Sequence, residues 1–249
     1  MNDLARQHDI SFQANLYADP NPTRRSLHSA RRAWVEKALA GIGPGTQVLE
    51  VGVGCGIFTQ FLSRTGAKVT AIDINPDFID SVQGLPNVTA HVRDATRPFD
   101  VENQDVVLSS EVLEHVPSDR SLAMLREIRA SLKPGGLFVL TTPQRYATME
   151  LAARLLRFPA LLALARKVYG HVDELGHINL LTAPQLQRQL AASGFRIESH
   201  ARFGFYLPLI ADFGGKAGHD ILRRVETVIR QVPVLRGLLW TQAYILRAC

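Results

Sequence analysis

Short apolar runs recur along the chain, and stretches with apolar residues at helical spacing lie between several of them. Val48–Val51, Val69–Asp73 and Val88–Val92 each have the length and β-branched content of a buried strand. Asp105–Val116 reads as a fourth strand running into a helical turn, and Leu132–Pro143 supplies a Gly-Gly turn and a fifth strand. Phe195–Phe203 and Thr241–Arg247 supply the last two, paired as an antiparallel closing hairpin. The spacing predicts helices over Ser26–Ala40 and Thr182–Ser193, the first preceded by an irregular, Pro-rich arm from Asp9 to Thr23 that could fold over a pocket. Alternation of this kind predicts an α/β chain with one mostly parallel sheet and helices on both faces.

The fifth strand and the Thr182 helix are separated by more residues than a crossover needs. Residues 144–181 therefore read as an insertion, and it leaves from a strand's carboxyl end, where open α/β sheets bind ligands. Within it Leu151–Lys167 is apolar with few charges, as expected of a lid helix or a helical pair bent at Pro159. Ile221–Trp240 carries a similar mixture of apolar residues and arginines. Either stretch can pack against the domain or a second subunit, giving a homodimer, or lie on a membrane surface.

Composition narrows the class. A chain of 249 residues can bury a sizeable core and is expected to form one domain over 1–249, with the arm at 1–25 and the lid insertion at 144–181. Two cysteines, Cys55 and Cys249, are too few for a disulfide framework. Met1–His8 lacks the layout of a secretory signal, and no apolar run approaches a membrane span. The expected home is the cytoplasm, with contact at a membrane surface as the alternative. A net charge of +5 comes from scattered arginines such as Arg24-Arg25, Arg31-Arg32 and Arg223-Arg224, which solvated helix faces explain. Tyr17, Arg25 and His28 in and beside the arm are candidates for touching substrate or cofactor, with surface or packing roles the preferred reading.

The chemistry begins at Val48–Thr59, where a strand enters a turn of alternating glycines before a helix. Gly52, Gly54 and Gly56 permit positive φ and close approach, and the N–H groups opening the helix offer donors to a polar ligand. Dinucleotide folds place a third glycine three positions after the second, where this chain has Ile57. Glu50, just before the first glycine, would repel a pyrophosphate but suits the amino group of a methionine moiety. These features point to S-adenosylmethionine. Asp73, ending the second strand, can accept from both ribose hydroxyls, and Asp94, after the third, from the adenine amino group.

With Glu50–Gly56, Asp73, Asp94, Ser109–Val116 and Lys133–Gly136 in this order, the chain resembles the class I S-adenosylmethionine-dependent methyltransferases over roughly residues 30 to 249. The resemblance implies a Rossmann-like, seven-stranded, mostly parallel sheet with an antiparallel last strand and a helical lid after strand 5. It places Glu50, Gly52, Gly54, Gly56, Asp73, Ile74, Asp94, Ala95 and Ser110 along the cofactor.

At positions i, i+3 and i+4, Glu111, Glu114 and His115 would project from one face of a helical turn. His177, just before the Thr182 helix, can return to the same rim. Glu-x-x-Glu-His with a later histidine is similar to two metal-using families: ubiquinone-pathway O-methyltransferases and small-RNA 3′-terminal 2′-O-methyltransferases. Both imply an oxygen acceptor. Two readings stand: Glu111, Glu114, His115 and His177 hold a divalent cation such as Mg, or the site is metal-free, with Glu114 capping or salt-bridging and His115 or His177 accepting a proton. His115, Glu111 and His177 are the candidate catalytic residues in either case. The expected acceptor is a hydroxylated small molecule with apolar bulk. An RNA substrate would need a basic track and stacking aromatics, which are sparse; a non-catalytic, cofactor-binding partner subunit is the third reading.

Overall fold

The computed structural model describes residues 10–155, 158–169 and 177–249. Seven strands form one sheet: β1 (Gln47–Val51), β2 (Lys68–Asp73), β3 (Val88–Val92), β4 (Gln104–Ser110), β5 (Leu132–Pro143), β6 (Phe195–Phe203) and β7 (Thr241–Ala248). Their order across the sheet is β3-β2-β1-β4-β5-β7-β6. Strands β1 to β5 pair in parallel, while β7 runs antiparallel to both of its neighbours. This is the expected Rossmann-like α/β sheet.

The two-residue period of β1 builds both cores. Leu49 and Val51 face one cluster, with Met124, Leu125 and Ile128 of α5 (Ser121–Ser131) and Leu186 and Leu190 of α8 (Ala183–Ala192). Val48 faces the other, with Val35 and Leu39 from α2 (Pro22–Ala38) and Phe58 and Leu62 from α3 (Ile57–Arg64). Glu50 shares Val48's parity, so the strand carries a carboxylate toward the helical face at its carboxyl end.

The N-terminal arm is more ordered than its composition suggests. Ile10–Leu16 forms α1, and Ile10 packs against the cluster of Val53, Ala71 and Phe78. Helix α2 starts at Pro22 rather than Ser26, because the Asn21 side chain accepts from the Thr23 and Arg24 N–H groups and Pro22 occupies the first turn.

The insertion is a helical pair, α6 (Thr148–Leu155) and α7 (Pro159–Tyr169), with α7 beginning at the proline. A parallel bridge between Gln144 and Leu181 brings its two ends together. Between β6 and β7 the chain does not turn tightly: α9 (Pro208–Phe213), α10 (Gly215–Gln231) and a 3-10 turn (Pro233–Leu238) intervene. The helical spacing of Ile221–Trp240 is thus an excursion inside the pair. Leu222 and Ile229 of α10 are buried, whereas Ile221, Val225 and Val228 stay exposed. Among the described residues no helix is long and apolar enough to cross a membrane, and both cysteines are unpaired.

Candidate active site

Strand β1 delivers Glu50 to the start of the glycine turn, and Gly56 in left-handed conformation opens α3 with no side-chain cap. A side chain on Gly52 (φ +88°) would place its Cβ 2.2 Å from Val112 Cγ2, and one on Gly54 would come 2.6 Å from Gln13 Oε1 of α1. The turn is therefore walled by the arm on one side and by the β4 exit on the other. Asp73 braces it: Oδ2 accepts from the Val53 and Gly54 N–H groups at 2.8 and 3.3 Å, and Oδ1 from Asn75 N–H at 2.9 Å.

Glu50 is 1 % exposed, and among the described residues neither carboxylate oxygen has a hydrogen-bond partner. Burial pushes its carboxyl up to about 8; the facing Thr59 hydroxyl, which completes no hydrogen bond to it, offsets only part of that, and the Asp73 charge adds to it. A buried acid with no partner among the described residues is suited to a cation or donor brought by a ligand. The residues present therefore fit the cofactor at its amino group, which Glu50 can receive, with Gln13 and Val112 standing against the glycine turn beside it.

The remaining candidates for that cofactor line the neighbouring strand ends. Ile74 is 65 % exposed beyond β2, and Ala95 packs partly buried against the core. Asp94 spends Oδ1 on the Thr96 N–H and hydroxyl, both at 2.8 Å; these bonds, with Arg97 beyond, hold its carboxyl below the usual range. Its Oδ2 lies 3.5 Å from Arg97. Ser110 hydrogen-bonds the Thr141 hydroxyl at 2.8 Å.

Glu111 does not share a helical face with Glu114 and His115. The backbone turns at Glu111 with φ +59°, and only Leu113–His115 form a single 3-10 turn. Glu111 points instead into a buried ion pair with Arg31 Nη1 at 3.0 Å, and Thr141 donates to its other oxygen at 3.0 Å. Since a carboxylate only accepts, the Thr141 proton goes to Glu111 and Ser110 donates to Thr141. Arg31 also donates to the Tyr17 hydroxyl at 3.2 Å. Arg31 is therefore not a solvated helix charge; it neutralises Glu111 from α2.

Tyr17 and His28 surround that arginine. The His28 ring stands edge-on to both Tyr17 and Trp240, with centroids 5.7 Å apart in each case. Burial, with the Arg31 charge, drives the His28 pKa down to about 3, so it is a neutral packing group.

Glu114, His115 and His177 come together at the rim, with a ligand atom from each within 4.8 Å of the others. His177 returns because the Ile178 and Asn179 N–H groups both donate to the Glu114 carbonyl at 3.0 Å, docking the segment onto the turn. The His115 and His177 rings lie 5.4 Å apart. Glu114 is fully buried; Thr142 donates to Oε2 at 3.0 Å, while Oε1 has no partner among the described residues. Burial and the Glu111 charge raise its carboxyl well above the usual carboxylate range.

Sequence reasoning missed Glu150 and Trp240. Glu150 of α6 is 2 % exposed, and its Oε1 lies 2.9 Å from His177 Nδ1 and accepts from Trp240 Nε1 at 3.2 Å. His177 therefore donates through Nδ1, so that in the neutral ring Nε2 is the acceptor. Burial alone would lower the His177 pKa, but the Glu150 hydrogen bond and the charges of Glu114, Glu150 and Glu111 outweigh it and raise it. Glu150 is the only carboxylate between Glu127 and Asp173, and a lone acid in an apolar helix was the available signal.

A family described as methyltransferase domain matches residues 9–200. Ubiquinone biosynthesis O-methyltransferases are similar: that of Xanthomonas campestris pv. campestris (strain B100) is 34 % identical over 141 residues, covering 53 % of this chain and 58 % of that protein, and that of Xanthomonas oryzae pv. oryzae (strain PXO99A) is 33 % identical over the same span. The match thus spans little more than half the length of these relatives. Among solved structures, the fold is shared with N-methyltransferase NodS from Bradyrhizobium japonicum WM9 in complex with S-adenosyl-L-homocysteine, at TM-score 0.60 and 15 % identity over 100 % of this chain and 99 % of that one. Magnesium protoporphyrin IX methyltransferase from Synechocystis PCC 6803, also with bound S-adenosyl-L-homocysteine, gives TM-score 0.60 and 15 % identity over 99 % of both chains.

Proposed function

The chain belongs to the S-adenosylmethionine-dependent methyltransferases, and from that premise we propose that it methylates a hydroxyl oxygen of a small molecule with an apolar portion. The observation that carries this reading is the convergence of Glu114, His115 and His177 beside the glycine turn, joined to it through the contact of Val112 with Gly52. One buried carboxylate with a free oxygen and two imidazoles form a donor set that fits a divalent cation. Such an ion would supply Lewis acidity that lowers the pKa of an acceptor hydroxyl. The names of the Xanthomonas relatives, which act on oxygen, support the same acceptor atom.

In this reading the chain's own residues divide the work by position. Glu50 binds the donor's amino group, Asp73 holds the turn open and takes the ribose, and Asp94, Ile74, Ala95 and Ser110 border the remainder. Bound S-adenosylmethionine supplies a sulfonium methyl group, and in-line transfer demands that nucleophile, carbon and sulfur be held collinear. His115 and His177 orient the acceptor oxygen, and Glu150 fixes the His177 tautomer. Glu111, neutralised by Arg31, is a positioning residue that braces the β4 exit through Thr141. Leu155, Phe158 and Leu161 of the insertion are exposed apolar residues suited to covering a greasy acceptor rather than a polynucleotide.

Transfer of labelled methyl from the cofactor to catechols and phenols carrying alkyl tails tests this reading, with alkyl amines as the comparison and with and without chelator. Label is expected on the hydroxylated acceptors, with turnover lost on chelation and restored by added Mg. Label on amines alone, or none on any hydroxylated acceptor, overturns it; chelator-insensitive O-methylation removes the cation and leaves His177 Nε2 as the proton acceptor.

A further inference from the structure

We propose that a second site, on the far edge of the sheet from the glycine turn, binds a phosphate-class anion. Strands β4, β5 and β7 separate β1 from β6. There β6, the end of α10 and the 3-10 turn that follows border an open cleft of about 360 Å³, lined by His200, Ala201, Arg202, Arg230, Pro233 and Arg236. Three permanent positive charges share it, and among the described residues no carboxylate is in the lining.

Backbone carbonyls anchor two of the arginines, and among the described residues only Arg230 is also paired with an acid, Glu226. Arg230 Nε donates to the Arg202 carbonyl at 3.2 Å, and Arg236 Nε to the Arg230 carbonyl at 2.8 Å. These bonds fix the root of the Arg230 and Arg236 guanidinium groups at the lining. Arg202 Nε is buried with no acceptor among the described residues. The nearest acid, Glu226, stands outside the lining at 3.6 Å from Arg230 Nε, and it already accepts from the Gly204 and Phe205 N–H groups and faces Arg223. His200 is stacked on Tyr244, with ring centroids 6.0 Å apart, which sets one wall.

Guanidinium groups converging on one space match the several oxygens of a phosphate, each able to accept a charge-assisted bond, better than the single face of a carboxylate. The volume exceeds that of a bare phosphate, so a phosphate ester is accommodated as well. Binding would also relieve the repulsion among three like charges.

The test titrates the full chain with inorganic phosphate at constant ionic strength, chloride replacing phosphate in the control, and separately with vesicles of phosphatidylglycerol in phosphatidylcholine against phosphatidylcholine alone. Arg202→Gln and Arg236→Gln are each measured beside the wild type, with S-adenosylhomocysteine binding as the check that both remain folded. Saturable phosphate binding, weakened about tenfold or more in each variant, is the expected result. Vesicle binding that the same variants lose and free phosphate competes away assigns the phosphate to a lipid headgroup; phosphate binding without vesicle binding assigns it to a soluble ligand. No binding of either probe, or binding that both variants leave unchanged, overturns the proposal.

Discussion

Glu50→Gln is expected to weaken S-adenosylhomocysteine binding by about 30- to 1,000-fold, the cost of about 2–4 kcal/mol for removing one partner of a buried charge pair. The same change is expected to stabilise the free protein at pH 8. Burial holds the native Glu50 carboxyl up to about 8, whereas the unfolded chain releases that proton near the ordinary glutamate value. Between those two values the native state binds more protons than the unfolded one, so stability falls as pH rises through this window. By pH 7 the deficit from this group is on the order of 3 kcal/mol. Glutamine has nothing to titrate, so the variant matches wild type near pH 4 and exceeds it at pH 8. Ligand affinity follows the opposite course, because the amino group requires the ionised form. Wild-type affinity should climb about tenfold per pH unit up to about pH 8, with a proton released on binding, while the variant's should stay flat. Calorimetry in buffers of different ionisation enthalpy reads both; an affinity untouched by the substitution places the amino group elsewhere.

Arg31→Leu is the second large effect, and its target is stability. Arg31 and Glu111 pair at 3.0 Å with side chains only 11 % and 16 % exposed, so removing the arginine leaves a carboxylate largely out of water. Breaking such a pair from one side costs about 3–5 kcal/mol, and a chain of this size should melt on the order of 10 °C lower. The loss arises from the orphaned acid rather than from the missing attraction. Arg31→Leu combined with Glu111→Leu should therefore recover most of it, since two apolar residues replace a pair whose desolvation was costly. Without Arg31, Glu111 would also face Glu114 uncompensated, adding like-charge repulsion to an acid that burial already disfavours. A single variant that melts within a degree of wild type would mean the pair is screened by solvent and does not hold the rim.

How much of this was readable before the structure varies residue by residue. The strands were legible because apolar runs of four to six residues have few alternatives, and Glu50 was legible because its place just before a glycine turn sets its chemistry. The Glu111 geometry was not. Counting i, i+3 and i+4 assumes a helix that starts at Glu111, but the sign of φ there is decided by the turn that joins β4 to the 3-10 segment. Arg31 was hidden for a related reason: its helix presents arginines on several faces, and spacing does not reveal which face meets Tyr17 and Glu111. The start of α2 was available in Asn21-Pro22, a capping residue before a first-turn proline, and the composition of the arm obscured it. His177 lies more than sixty residues from Glu114 in sequence, and the two backbone bonds that dock it to the Glu114 carbonyl leave no mark in sequence pattern.

An amide-resolved NMR titration with S-adenosylhomocysteine measures directly where the methyl donor sits. The predicted result is a saturable set of shifts centred on Val53, Gly54, Cys55, Gly56, Asp73 and Asn75, absent in Glu50→Gln at the same ligand concentration. Shifts confined to residues away from the glycine turn, or the same shifts at undiminished affinity in the variant, would contradict it.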